Sequence, residues 1–162
     1  MSRPRNASHS ASAASAMNSS GLCAWSIEPG PTEMLKLPQG NAICYSGYRP
    51  GQSPDCGVYP SQAEIAADLR LLRRHWRILR LYDCTLHAQR VLQVIRSERL
   101  DFEVMLGAWL AAEVSNPGCP WGASFSDAQL AANAAENDAE VERLIELADR
   151  YDDIVFAVAV GN

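Results

Sequence analysis

The spacing of apolar residues along this chain changes period several times, and each change marks an element. Ala42 to Tyr48 reads as a first strand. Arg49-Pro50-Gly51-Gln52-Ser53-Pro54-Asp55-Cys56-Gly57 follows as a turn-rich loop. At Pro60-Ser61-Gln62-Ala63-Glu64 the period becomes helical. Ser61 and Glu64 have the spacing of a capping box, in which each side chain satisfies a backbone N–H of the other. Ile65, Leu69 and Leu72 then recur as one buried stripe.

A second strand is expected over about Arg77 to Tyr82. Leu79 and Leu81 share one parity and should face helices, while Ile78, Arg80 and Tyr82 should point to the other side of the sheet. The second helix spans about His87 to Glu98, with Val91, Leu92, Val94 and Ile95 inward. A third strand runs from about Phe102 to Trp109, followed by a long polar loop holding Pro117 and Pro120. The third helix is expected to start near Asn137 as N-cap, with Glu140 at N3 and Val141, Leu144, Ile145 and Ala148 as its core stripe. Asp152 and Asp153 mark the turn into a last strand, Ile154 to Val160. This run is continuously apolar and rich in β-branched residues, the pattern of a strand buried on both faces of a parallel sheet. It stops at Gly161-Asn162, where α/β enzymes place their chemistry, and reads as a sheet interrupted.

Strand alternating with helix predicts an α/β fold, β-α-β-α-β-α-β, with a parallel sheet and right-handed crossovers. Two closed forms compete. A doubly wound sheet is complete near this length. A (β/α)8 barrel needs ~250 residues, so residues 41–162 would be its first half, strands one to four. No glycine-rich phosphate loop follows the first strand, which weakens the nucleotide-binding doubly wound form.

Composition supports a folded domain preceded by a tail. Of 162 residues, 48% are hydrophobic and 20% charged, enough for one domain with a core. Residues 1–40 form a Ser/Ala-rich tail and lead-in, and the first ~20 should be disordered because they bury too little apolar surface. Arg3 and Arg5 are not followed by an apolar segment, so the start is a poor secretory signal and the cytoplasm is the default compartment. A net charge of −5 argues against nucleic acid or an anionic membrane as partner, and no apolar run approaches the ~20 residues of a membrane span. The basic cluster Arg70, Arg73, Arg74, Arg77 and Arg80 reads as a solvated helix face plus a strand start.

Metal and redox chemistry find little support. Cys23, Cys44, Cys56, Cys84 and Cys119 include no C-x-x-C pair. Cys44 and Cys84 read as small hydrophobes of strands, whereas a disulfide between the loop residues Cys56 and Cys119 stays open. His9, His75 and His87 lack partners at ligand spacing and read as structural or exposed. No metal or cofactor is implied.

Four strand-end motifs line up in order: Ile43-Cys44-Tyr45-Ser46-Gly47-Tyr48, Leu79-Arg80-Leu81-Tyr82-Asp83, Val104-Met105-Leu106-Gly107-Ala108-Trp109 and Val158-Ala159-Val160-Gly161-Asn162. Together they resemble the first half of glycoside hydrolase family 17, (β/α)8 barrel enzymes acting on β-1,3-glucans. The Gly107-Ala108-Trp109 form and the Tyr48-Arg49-Pro50-Gly51-Gln52 segment resemble its bacterial branch. The resemblance covers about residues 41–162.

It implies a retaining mechanism with two carboxyl groups ~5 Å apart, one protonating the leaving oxygen and one attacking the sugar. The family's acid/base Glu would follow Asn162 and its nucleophile lies later in the barrel, so this chain alone is expected to be inactive. Glu103, Glu113 and Asp83 do not replace them by position. The resemblance implies a substrate-binding floor instead. Tyr82 corresponds to a tyrosine contacting the sugar, and Asn162 to an asparagine bonding a sugar hydroxyl. Tyr45 and Trp109 either stack on sugars or fill the barrel's top layer. Arg80 is expected to hold a carboxylate of the remaining half rather than touch substrate, while Asn137 and Glu140 act as a helix cap without chemistry. The implied partner is β-glucan or an oligosaccharide. The rival readings are a non-catalytic half-barrel that binds glucan or assembles with a second half, self-associating through open sheet edges, and a small α/β domain with no glucan connection.

Overall fold

A computed structural model of the chain describes residues 37–120 and 122–161. The expected tail, Cys23 and His9 fall largely or wholly outside them, as does Asn162.

The described residues form an α/β unit of four strands and three helices: β1 (Ala42–Cys44), α1 (Gln62–Leu72), β2 (Ile78–Arg80), α2 (Leu86–Glu98), β3 (Glu103–Ala108), α3 (Asp127–Arg150) and β4 (Val155–Val160). All neighbouring strands pair in parallel and lie in the order β1-β2-β3-β4. The order never reverses. Right-handed crossovers therefore carry every helix to the same side of the sheet, and the sheet has no switch point of the doubly wound kind.

Burial follows that geometry. Leu79, Leu81, Val104, Leu106 and Ala108 are buried towards the helices, where they meet Ile65, Leu69, Val91, Leu92, Ile95 and Leu144. Ile78, Arg80 and Met105 on the opposite parity stay half-exposed and line an open apolar groove with Ala42, Cys44 and Phe156. The strand parity expected for β2 is thus the observed one.

α1 begins as its sequence predicts. The Ser61 hydroxyl accepts from the Glu64 N–H at 3.3 Å, and the Glu64 carboxylate accepts from the Ser61 N–H at 2.8 Å. α3 does not. It starts at Asp127 behind a different capping box, Ser126 with Gln129. Asn137 and Glu140 are interior positions of that helix, not its cap. Its buried seam is Asn137, Glu140, Leu144 and Leu147, so Leu144 holds its expected place, while Ile145 is 57% exposed. Successive helical positions are about 100° apart, so a seam centred on Leu144 and Leu147 turns Ile145 outward.

β4 also departs from expectation. It is the edge of the described sheet, and Val158 and Val160 are 50% and 61% exposed rather than buried on both faces. The ladder to β3 is irregular between Val104 and Met105, which pair with Val155 and Ala157 and leave Phe156 as the extra residue of a bulge.

The basic cluster behaves as a solvated face. Arg70 pairs with Glu98 and Arg77 with Asp101, while Arg73 and Arg74 are exposed. Cys84 is fully buried as a small hydrophobe, whereas Cys44 lies exposed on the open sheet face; Cys56 and Cys119 are free thiols. No helix among the described residues is long and apolar enough to cross a membrane.

Candidate functional site

The carboxyl ends of β1, β2 and β3 and the middle turns of α3, from Glu136 to Arg143, surround a cleft of about 670 Å³. α3 makes this possible by its length. Its 24 residues span about 36 Å at 1.5 Å per residue, against about 20 Å for the six residues of β3. The surplus rises past the sheet. Where the seam of α3 packs on the sheet it is Leu144 and Leu147; where it rises above, it is Asn137 and Glu140.

Those two polar residues are buried, and both are fully engaged. The Glu140 carboxylate accepts from the Cys84 N–H at 2.7 Å, just past the end of β2, and from the Arg143 guanidinium at 2.9 and 3.1 Å. Arg143 also reaches Glu136 at 2.5 Å, and its pKa is raised first by that bond and then by Glu140. Burial, and then the Glu140 charge, push the Cys84 thiol up to about 12, so it is inert. Asn137 bonds the backbone of Ala111 and donates to Glu113 at 2.7 Å.

The expected site residues separate into distinct places. Tyr82 is 40% exposed on the cleft rim, on the parity its strand predicts. Trp109 is 57% exposed at the end of β3 and offers an open aromatic face to the cleft instead of filling a core layer. Tyr45 lines the cleft too, but it is buried, and its hydroxyl donates to Asp68 at 2.9 Å. Burial, followed by the Asp68 bond and charge, holds its pKa well above the ordinary tyrosine value. Asp68 in turn takes a two-pronged pair from Arg49 at 2.7 and 2.9 Å, tying the loop after β1 to α1. Gly47 is required beside this anchor: it sits at φ +64°, and a Cβ there would collide with the Tyr45 hydroxyl.

Arg80 is not in the cleft. It lies in the groove on the open sheet face with its guanidinium 5.2 Å from the centroid of the Tyr82 ring. Tyr82 therefore joins the two surfaces, its ring over Arg80 and its edge on the cleft. The neighbouring Cys44 thiol is the main cause of its raised pKa, followed by burial.

Sequence reasoning read His87 as structural or exposed and gave Tyr48 no role of its own. His87 occupies the first turn of α2, lines the cleft and is 3% exposed. Tyr48 stacks on it, with ring centroids 5.1 Å apart and planes at 27°. Burial lowers the His87 pKa against an opposing pull from Asp83. Burial, then the Asp83 charge, raise the Tyr48 hydroxyl to about 12; Thr85 lies near enough to oppose that shift but not in hydrogen-bond geometry. Asp83 itself accepts from the Thr85 N–H at 3.0 Å and hydroxyl at 2.6 Å, opening α2. Tyr48 stood in a quoted strand-end motif, so its position was a usable signal. His87 carried none, because one histidine inside an amphipathic helix has no distinguishing spacing.

Among the described residues no group of three or more His, Cys, Asp or Glu side chains is placed to hold a metal ion. No protein-family profile, curated protein or solved structure matches the chain.

Proposed function

We propose that the cleft is a carbohydrate-binding site, the glycone-side floor of a β-glucan-active (β/α)8 glycosidase or transglycosylase, as the strand-end motifs imply. The observation that carries this reading is the pairing of open aromatic faces with fixed polar groups at the carboxyl ends of the strands. Trp109 presents ring surface to the cleft and Tyr82 a ring edge, and Asp83, Glu136 and Asn137 line it beside them. Sugars need both kinds of surface: C–H faces stack on rings, and hydroxyls need directed partners. The unreversed strand order supports this reading, because successive strands are neighbours in a (β/α)8 barrel.

The described residues supply recognition rather than acid/base chemistry. Of the carboxylates lining the cleft, Glu140 is held by Cys84 and Arg143, Glu136 by Arg143 and Asp83 by Thr85, which leaves Asp55 alone without a hydrogen-bond partner among the described residues. A retaining pair must instead leave one carboxyl free to give a proton and one to attack. The chain should therefore bind β-1,3-gluco-oligosaccharides without cleaving them. Calorimetric titration of residues 1–162 with laminaritetraose tests this. Binding weakened by Trp109→Ala, without release of reducing sugar, is the expected result; no binding at millimolar sugar would end the proposal.

A second reading rests on the other side of the sheet. The open groove at Ile78, Met105 and Phe156 and the exposed edge residues Val158 and Val160 suit assembly with a further parallel sheet. A purely monomeric elution at high concentration, with no dye binding to apolar surface, would count against it.

A further inference from the structure

Two polar side-chain atoms buried in the cleft wall have no hydrogen-bond partner among the described residues: the Tyr48 hydroxyl and His87 Nε2. They belong to neighbouring rings brought together from separate elements, the loop after β1 and the first turn of α2. Leaving a buried donor or acceptor unpaired costs its full desolvation, and native proteins keep few such groups. Two such atoms, on stacked rings in the wall of one cleft, call for a partner.

The surroundings define its chemistry. The nearby polar groups are already committed: the Tyr45 hydroxyl to Asp68, and the Thr85 hydroxyl to Asp83. Burial keeps the imidazole neutral, so its ring carries one N–H and one lone pair, and the phenol can also donate and accept. Asp83 and Asp55 both act on Tyr48 as negative charges, which disfavours an anion. Tyr45 and Tyr59 add ring surface, with centroids 5.5 Å from His87 and 6.3 Å from Tyr48 respectively. A partner that is neutral, both donates and accepts, and carries a C–H face beside its polar group is an alcohol on a saturated ring.

We infer that Tyr48 and His87 form a subsite for one hydroxyl group of a neutral sugar ring. This rests on the carbohydrate reading above and deepens it by assigning a specificity-determining pair. The Tyr48 ring lies over the imidazole, so the ligand reaches Nε2 when that ring turns aside. Tyr48 is half-buried in the loop between Gly47 and Gly51, beyond Cys44, the last residue of β1 paired with β2.

The test uses residues 1–162 with ¹⁵N-labelled histidine, titrated with laminaritetraose. Saturation should move the His87 Nε2 resonance, and Tyr48→Phe, which keeps the ring stack, should weaken binding about three- to tenfold, the effect of one hydrogen bond. Sugar binding that still responds to Trp109→Ala but leaves Nε2 and the Tyr48→Phe affinity unchanged overturns the subsite and spares the glucan reading. An Nε2 resonance already at a hydrogen-bonded position and unmoved by sugar assigns the two atoms to bound water, with the same consequence. No binding at all removes the glucan reading and the subsite with it. Should Tyr48→Phe fail to fold, the nitrogen shift of the unaltered protein decides.

Discussion

Asn137 grips Ala111 by both of its backbone groups: Oδ1 accepts from the Ala111 N–H at 2.8 Å, and Nδ2 donates to the Ala111 carbonyl at 2.9 Å. A side chain in the interior of α3 thereby does what a neighbouring strand would do. It fixes the chain two residues beyond Trp109, and with it the start of the loop that borders the cleft.

Asn137→Asp keeps the shape of this clamp and reverses one of its polarities. The new carboxylate would face the Ala111 carbonyl and the Glu113 carboxylate, where the amide donates to both. The expected loss is about 1–3 kcal/mol of unfolding free energy, measured by urea titration. The emission of Trp109 should shift to that of a freer ring. Unchanged stability would mean that the clamp contributes nothing.

Glu140 ties α3 to the end of β2 through the Cys84 N–H. Glu140→Ala leaves that buried N–H unpaired and removes one of the two carboxylates that hold Arg143. Destabilisation of about 1–3 kcal/mol is expected, with Glu140→Gln milder because its amide oxygen can still accept from Cys84. Equal effects of the two substitutions would place the contribution in charge rather than in this bond.

The buried His87 makes stability depend on pH. Its folded pKa lies below the ordinary value of 6.5, so below that value the unfolded chain binds the proton more readily. The contribution is present in full above 6.5 and is lost as pH falls through the folded pKa. The Tm should therefore drop as pH is lowered from about 6.5, and the drop should shrink in His87→Gln. A Tm profile of equal slope in both proteins would count against it.

Gly107 sits where β3 passes the end of β2. A Cβ at this position would stand 2.7 Å from the Leu81 carbonyl oxygen and 3.0 Å from the backbone of Tyr82. Backbone cannot yield as a side-chain tip does, so Gly107→Ala should cost about 1–3 kcal/mol and move the Tyr82 rim. A melt unchanged from the parent protein would show that the strands separate without cost.

Tyr82→Phe removes only a rim hydroxyl, since the ring is 40% exposed and packs over Arg80. Tm should stay the same while laminaritetraose affinity falls about three- to tenfold. The opposite pattern, a lower Tm with unchanged affinity, would make Tyr82 a structural residue.

Much of the fold was legible because it follows from local chemistry. Ser61 and Glu64 announce α1 by their spacing alone, and the alternation of Leu79 and Leu81 with Arg80 and Tyr82 sorts the two faces of β2. The N-cap of α3 was misplaced by eleven residues, at Asn137 instead of Ser126, because Asn137 and Glu140 imitate a cap. The stretch before them, rich in alanine and poor in large apolar residues, looks like loop if a hydrophobic stripe is the criterion. Alanine's high helix propensity and the Ser126–Gln129 spacing were the better guides. The exposure of β4 follows from what lies beside it in space, which a run of valines does not encode. Tyr48 and His87 meet only because the β1-α1-β2 crossover sets the ends of β1 and β2 side by side, a long-range fact without a local trace.

The change of character along α3 gives this domain a separation of duties. The lower turns, at Leu144 and Leu147, are bound to the fold, and any variation there risks the core. The upper turns, at Glu136, Asn137, Glu140 and Arg143, contact backbone and cleft but bury little apolar area. Such a helix resembles a tool with a fixed shank and an exchangeable tip. Outward-facing upper residues such as Glu136 can be varied to retune what the cleft accepts while the shank keeps the sheet covered, so selection or engineering can search for new ligands here at small cost to folding.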